Sequence, residues 1–359
     1  MEELQKIIEN IKGADEEALQ KATERQNNLL KPKGSLGALE DISIKLAGIT
    51  GKINNEADKR ILFLFGADNG VYDEGVAATP QYFTKLLIKS YADNIGTGIN
   101  VITKSCNTDL KLIDMGIKGG VIHKNIDNRN LMINGTNNFA VDKAIPYDIV
   151  IKAIKIGIEY AKYAKDKGYN IIGNGEIGMA NTTTAAACIM ALVKSSNKKL
   201  VGRGAGLTDN QLEKKREVIR KAITKYNLFH AEPFEILSCV GGLDIAAMTG
   251  LYLGAAYYRL PIVIDGLISI SAALMAYNIK NEVKDFMFTS HHSEEPAYLR
   301  AVNALGLEPM LNLHMRLGEG SGCPIAMQII ENACHIMNNM QTFQEINLED
   351  EYRKDIIMK

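Results

Sequence analysis

One recurring unit constrains this chain more than any other feature: a short apolar run, a polar loop carrying glycine, then a helical pattern. Ile61–Phe65 runs into Gly66-Ala67-Asp68-Asn69-Gly70, with a helix expected from Thr84. Leu110–Ile113 runs into Asp114-Met115-Gly116, and Asn170–Ile172 into the loop Gly173–Gly178. Leu200-Val201 leads into Gly202–Gly206, Pro261–Ile264 into Asp265-Gly266, and Phe286–Phe288 into Thr289–Ser293. Apolar runs without alternation suit strands buried on both faces, as in a parallel sheet. Strand, polar loop and helix in six repeats predict a doubly wound α/β sheet. Its ligand crevice then lies outside the carboxyl ends of the strands, which gathers these loops on one edge.

The two ends read differently. Leu4, Ile7, Ile8 and Ile11 recur at helical spacing, and Ala14-Asp15-Glu16-Glu17 opens a second helix with acidic residues. Pro32, Gly34 and Gly37 then break the chain before a third helix from about Leu36. A final helix from about Pro324 to Met340 carries an apolar stripe of Met327, Ile330, Ala333, Cys334 and Met337, read as core. The charged residues Leu348–Lys359 are expected to form a loosely held tail.

Composition excludes several function classes. Lys plus Arg total 41 against 42 Asp plus Glu, a net charge of −1, so there is no electrostatic footprint for nucleic acid. No apolar run approaches the roughly 18 residues of a membrane span. The five cysteines form no CxxC pair, which points to neither zinc nor a disulfide framework. Met1–Asn10 is charged and helical in pattern, unlike a signal peptide. A cytoplasmic location is expected. His291 and His292 are adjacent, an arrangement that seldom serves one metal, and no HExxH or GxSxG is present.

Two kinds of loop carry chemistry. Gly175–Thr183 offers backbone N–H groups, the hydroxyls of Thr182 and Thr183, and a helix start expected to be capped by Asn181. Gly202–Gly206 is a second cradle with Lys214 and Lys215 on the helix beyond it, and Ser290 and Ser293 supply hydroxyls at a third helix start. None is a P-loop, and Gly202–Gly206 is not a full dinucleotide fingerprint. The other kind is Met315–Cys323, where Glu319 sits among Gly318, Gly320 and Gly322. Glycines let main chain approach a ligand closely, and a carboxylate so held is placed to accept a proton. Read alone, it is equally a surface turn with a solvated Glu.

In order along the chain, KPKGSLGALE, GADNGVYDEGVAATP, GNGEIGMANTTTAAA, VGRGAGL, VGGLDIAAMTGLYLGAA, DGLISISAAL, SHHSEEP and MRLGEGSG resemble one family. It is the nicotinate-nucleotide:dimethylbenzimidazole phosphoribosyltransferases of cobamide biosynthesis, and the match runs from about Lys31 to about Met340. The resemblance implies transfer of the 5-phosphoribosyl group of nicotinate mononucleotide to a ring nitrogen of a benzimidazole, giving an α-ribazole phosphate and nicotinate. The pyridinium leaving group is already cationic, so no general acid is needed. The azole N–H must be lost, so one base is. That chemistry calls for no metal and no cofactor.

Residue by residue, Glu319 matches the family's catalytic base and Glu176 an acidic residue near the nucleotide. Gly178, Gly204, Lys215 and Ser293 match positions lining the nucleotide, chiefly its phosphate side. Thr79, Ile177 and Leu317 match positions around the benzimidazole. The implied fold is a large Rossmann-like nucleotide-binding domain over residues 51–323, with a small helical domain from residues 1–50 and 324–359, in a homodimer. There are departures. Asn69 stands where relatives often have His, Thr184 where many have Pro, and Leu87 near where some place a Gln facing the base. Without that Gln, another benzimidazole, a purine or a phenol stays open as acceptor. Two rivals also stay open: a hydrolase that gives the ribosyl group to water, and a non-catalytic nucleotide-binding subunit.

Overall fold

The computed structural model describes residues 1–348. The expected tail beyond Leu348 lies outside the described residues.

Helices α1 (Glu2–Asn10), α2 (Glu16–Asn28) and α3 (Ala38–Thr50) open the chain. The acidic start of α2 forms because Asp15 caps it, its carboxylate accepting from the Ala18 N–H at 2.9 Å. The turn before α3 is more than a helix break. Lys31 and Glu40, both buried, pair at 2.7 Å, and the same Glu40 oxygen accepts from the Leu36 N–H at 3.0 Å.

Six strands follow: β1 (Arg60–Ala67), β2 (Thr108–Gly116), β3 (Ile126–Asn128), β4 (Ile171–Ile177), β5 (Ile262–Ile264) and β6 (Met287–Thr289). They form one sheet in the order β3-β2-β1-β4-β5-β6, every pair parallel. This is the doubly wound nucleotide-binding order, and it reverses between β1 and β4. All residues of β1 and β4 are buried, which is why, apart from Arg60, Asn174 and Glu176, their residues are apolar or small. The remaining helices are α4 (Phe83–Ala92), α5 (Gly98–Ser105), α6 (Tyr147–Asp166), α7 (Asn181–Leu192), α8 (Asp209–Lys225), α9 (Pro233–Val240), α10 (Leu243–Tyr257), α11 (Leu267–Ile279), α12 (Pro296–Leu305) and α13 (Gly322–Asn339).

The strand count matches the six repeats, but one member differs. Leu200-Val201 is not a strand. Lys198–Leu200 forms a 3₁₀ turn between α7 and α8, because two apolar residues between lysines and glycine offer too little to bury. The sixth strand is β3, a three-residue edge whose Asp127 and Asn128 carry no apolar signal.

Helix α10 is buried from Leu243 to Ala256 and packs on α6. A Cβ at Gly250 would stand 1.9 Å from the Ile154 carbonyl oxygen, and one at Gly157 1.9 Å from that of Ala247, so main chain meets main chain there. From α10, the Tyr252 hydroxyl accepts from the Asn174 side chain of β4 at 2.9 Å. Helix α13 packs on β1, β4 and β5, with Cys323 and Met327 against Gly173. At the far end of α13, Met337 joins Ala18, Ala22 and Ala47 of α2 and α3 in a small separate core. The Arg25 guanidinium donates to the carbonyls of Met337 (2.9 Å) and Met340 (3.4 Å), tying the chain's two ends together. Among the described residues no helix is long and apolar enough to cross a membrane.

Candidate active site

The carboxyl ends of β1 and β4 meet at the reversal of strand order, with Phe65 opposite Glu176 and Gly66 opposite Ile177. A cavity of about 260 Å³ opens there. Of the residues singled out from sequence, Thr79, Glu176, Ile177, Gly178, Thr182, Gly204, Ser293, Leu317 and Glu319 all line it. Lys215 and Thr183 do not. Both are buried behind the wall, and the Thr183 hydroxyl has no hydrogen-bond partner among the described residues.

One wall is built for an anion. Ala180, at φ +68°, turns the chain into α7, whose first residues Asn181 and Thr182 face the cavity. The free N–H groups of such a terminus favour negative charge. Asn181 does not cap the helix as its position promised, because it is itself helical and its amide instead donates to Glu176. Lys215, fully buried, reaches from α8 to donate to the Thr182 hydroxyl at 2.9 Å and to the Gly202 carbonyl at 3.1 Å. Burial pushes its ammonium down to about 8. Gly204 lies at φ +53°, where a Cβ would crowd the Thr182 hydroxyl at 2.8 Å, and its N–H donates to Glu295 at 2.9 Å.

Glu319 lines the same cavity. Gly318, Glu319 and Gly320 are all left-handed, at φ +79°, +62° and +80°. For the glutamate this is a disfavoured conformation, kept only where neighbours enforce it. Asp265, at the end of β5, accepts from the Gly322 N–H at 2.8 Å and the Gly320 N–H at 3.1 Å. Glu176 accepts from the Glu319 N–H at 3.5 Å. Below, Gly175 leaves room for the loop, since a Cβ there would lie 2.5 Å from the Glu319 carbonyl oxygen.

The site therefore concentrates acid. Burial, followed by the charges of Asp244 and Asp265, pushes Glu176 up to about 8. Burial pushes Asp265 and Asp244 up to about 7. Glu319 is raised by burial too, and the neighbouring Tyr91 hydroxyl pulls it the other way.

The apolar end of the cavity is lined by Thr79, Phe83, Leu87, Ile177, Met179 and Leu317. The unusual Asn69 and Thr184 turn out to be partners: the Thr184 hydroxyl donates to the Asn69 side-chain oxygen at 3.1 Å. Among residues the sequence reading did not single out, Asp265 is the most consequential. Its place at a strand's carboxyl end, just before a glycine, was the available signal. Among the described residues no group of three or more His, Cys, Asp or Glu side chains is arranged to hold a metal ion.

Known proteins match this arrangement along nearly the whole chain. A family model described as a phosphoribosyltransferase matches residues 11–348. The nicotinate-nucleotide–dimethylbenzimidazole phosphoribosyltransferase of Clostridium perfringens is 46% identical over 353 residues, covering 98% of this chain and 97% of that one. The protein of the same name from Clostridium tetani is 43% identical over 357 residues, covering 99% and 98%. A solved structure of the Thermus thermophilus protein of that name superposes with a TM-score of 0.88 at 32% identity, covering 93% of this chain and 99% of that one. A nucleotide-type sheet, a cavity at its switch point and this extent of likeness agree: the chain belongs to the nicotinate-nucleotide–dimethylbenzimidazole phosphoribosyltransferase family.

Proposed function

We propose that this enzyme transfers the 5-phosphoribosyl group of nicotinate mononucleotide to a ring nitrogen of 5,6-dimethylbenzimidazole or a related base. The products are α-ribazole 5'-phosphate and nicotinate, as cobamide nucleotide-loop biosynthesis requires. One observation carries this reading: a main-chain-held carboxylate and a helix N-terminus with its hydroxyls line one cavity.

In this mechanism the phosphate sits against Thr182, Gly204, Ser293 and the start of α7, and Lys215 orients the Thr182 hydroxyl from behind. The acceptor occupies the apolar end, between Thr79, Ile177 and Leu317. Its ring nitrogen attacks the anomeric carbon as the bond to the pyridinium nitrogen breaks, and Glu319 takes the N–H proton. A carboxylate suits this task because burial has raised its affinity for a proton. Glu176, which burial keeps protonated near neutral pH, adds no competing negative charge. With Leu87 rather than a polar side chain beside the ring, the cavity discriminates among acceptors chiefly by shape.

We divide the chain into a large domain over 51–323 and a small helical one over 1–50 and 324–359; the separate core of Ala18, Ala22, Ala47 and Met337 supports this. A homodimer in the cytoplasm completes the proposal, and five unpaired cysteines are in keeping with a reducing compartment.

The test is nicotinate release from nicotinate mononucleotide with and without 5,6-dimethylbenzimidazole. Release that requires the base, with ribazole phosphate formed in equal amount, is the expected result. Equal release without base identifies a hydrolase. Nucleotide binding without turnover, across a panel of azoles and phenols, identifies a regulatory subunit.

A further inference from the structure

Helix α4 flanks the cavity, and Leu87 lines it one turn before Tyr91. The Tyr91 side chain turns inward and is only 2% exposed. Its hydroxyl is buried without a hydrogen-bond partner among the described residues. That is an expensive way to fill a core position, since a phenylalanine or leucine would occupy the same space with no polar atom to satisfy.

The surroundings show what the hydroxyl faces. The Tyr91 carbonyl accepts from the Asn100 side chain at 3.0 Å, which joins the end of α4 to α5. Gly98, at the head of α5, packs against Leu317, where a Cβ would be 3.0 Å from the leucine methyl. Two residues further on is Glu319, and its carboxylate is the acidic group that acts most strongly on the Tyr91 hydroxyl. Burial, and after it the Glu319 charge, holds the phenol in its protonated form, so it keeps a proton to donate.

We propose that Tyr91 is a positioning residue for the reaction. Its otherwise unpartnered hydroxyl donates to one oxygen of the ionised Glu319 carboxylate and leaves the other aimed into the cavity at the acceptor's N–H. This rests on Glu319 acting as the base. The loop fixes only the main chain of Glu319, through Asp265 and Glu176. A glutamate side chain on a fixed main chain still has three torsions, and a second anchor at its tip removes that freedom. The same hydrogen bond stabilises the charged form against burial, so the base stays ionised near neutral pH instead of arriving already protonated. When Glu319 accepts the acceptor's proton, the Tyr91 hydroxyl remains bonded to the uncharged oxygen, and no second proton moves.

The test compares wild type with Tyr91→Phe, which removes one oxygen and keeps the ring. The readout is the pH profile of kcat/KM for 5,6-dimethylbenzimidazole at saturating nicotinate mononucleotide. Losing a hydrogen bond to a charged group moves the acid limb up by about one pH unit. Activity below that limb falls about tenfold and meets the wild-type plateau on the alkaline side. Replacing Tyr91 with 3-fluorotyrosine, a stronger donor of nearly the same size, moves the limb to lower pH. Nucleotide KM is unchanged in both variants. Superimposable profiles, or a loss of rate equal at every pH, overturn the proposal. If the wild type itself shows no base-dependent nicotinate release, the failure lies with the reaction and not with Tyr91.

Discussion

Gly175→Ala probes how tightly the placement of Glu319 is set. Gly175 lies in the middle of β4, paired with Leu64 of β1, and alanine is compatible with extended backbone. The added methyl would lie 2.5 Å from the Glu319 carbonyl oxygen, 2.6 Å from its carbonyl carbon and 2.7 Å from the Gly320 nitrogen. Ordinary contact begins at 3.4 Å. The strand is held on both sides by β1 and β5, so it is the Glu319 loop that retreats, by about 0.9 Å. A displacement of about 1 Å at a catalytic group costs up to roughly a hundredfold in rate, so kcat is expected to fall by about one to two orders of magnitude. Stability falls by about 1–3 kcal/mol, the usual cost of overpacking. Gly173→Ala is the control. Its methyl meets the Cys323 and Met327 side chains at 2.9 Å and Leu62 at 3.0 Å, side chains rather than the main chain of Glu319. It should lose stability to a similar degree and keep kcat. Base-dependent nicotinate release measures the first quantity and denaturant midpoints the second. Wild-type kcat in Gly175→Ala, or equal kcat losses in the two variants, would refute the reasoning.

Three further outcomes are expected. Glu319→Gln keeps nucleotide binding and lowers turnover by about two to four orders of magnitude, the usual worth of a general base; a near-normal rate removes its assigned role. Lys215→Ala raises the apparent KM for the nucleotide about tenfold, roughly 1.4 kcal/mol, with a smaller effect on kcat, because Thr182 loses the donor that orients it. An unchanged KM counts against the phosphate contact. The third concerns pH. Glu176 is raised from 4.5 to about 8 in the folded protein, so its contribution to stability is complete below the lower value and is lost as pH rises through the upper one. Lys45 and Lys215, pushed down to about 8 by burial, act in the opposite sense, so the informative quantity is a difference. Between pH 6 and 9 the melting temperature of Glu176→Gln should decline less than that of wild type. Parallel curves would mean that Glu176 does not titrate there.

Much of this architecture was legible in the chain because buried parallel strands must be apolar and their loops must not be. The runs at Ile61–Phe65 and Pro261–Ile264 became strands for that reason. Edge strand β3 escaped because Asp127 and Asn128, unlike a central strand, can face solvent. Leu200-Val201 misled because two apolar residues beside glycine imitate a strand end. At the site, the hydroxyls and glycines that line the cavity lie in loops whose chemistry is local. Asp265, Gly175 and Tyr91 act on Glu319 from distant parts of the chain, and no spacing encodes that meeting. The pairing of Asn69 with Thr184 was invisible for the same cause.

The main-chain contact of α6 with α10 has a mechanical consequence. With Gly157 and Gly250 permitting carbonyl oxygens where a methyl would stand, this helix pair has no slack to surrender. Neither helix lines the cavity, so a bulkier guest gains no room from this contact. Accommodation falls to the solvent side, where Leu317 is 54% exposed and Thr79 half-buried. Breadth of choice is thus set at the mouth, and efforts to widen or narrow it belong there, leaving the anvil behind untouched.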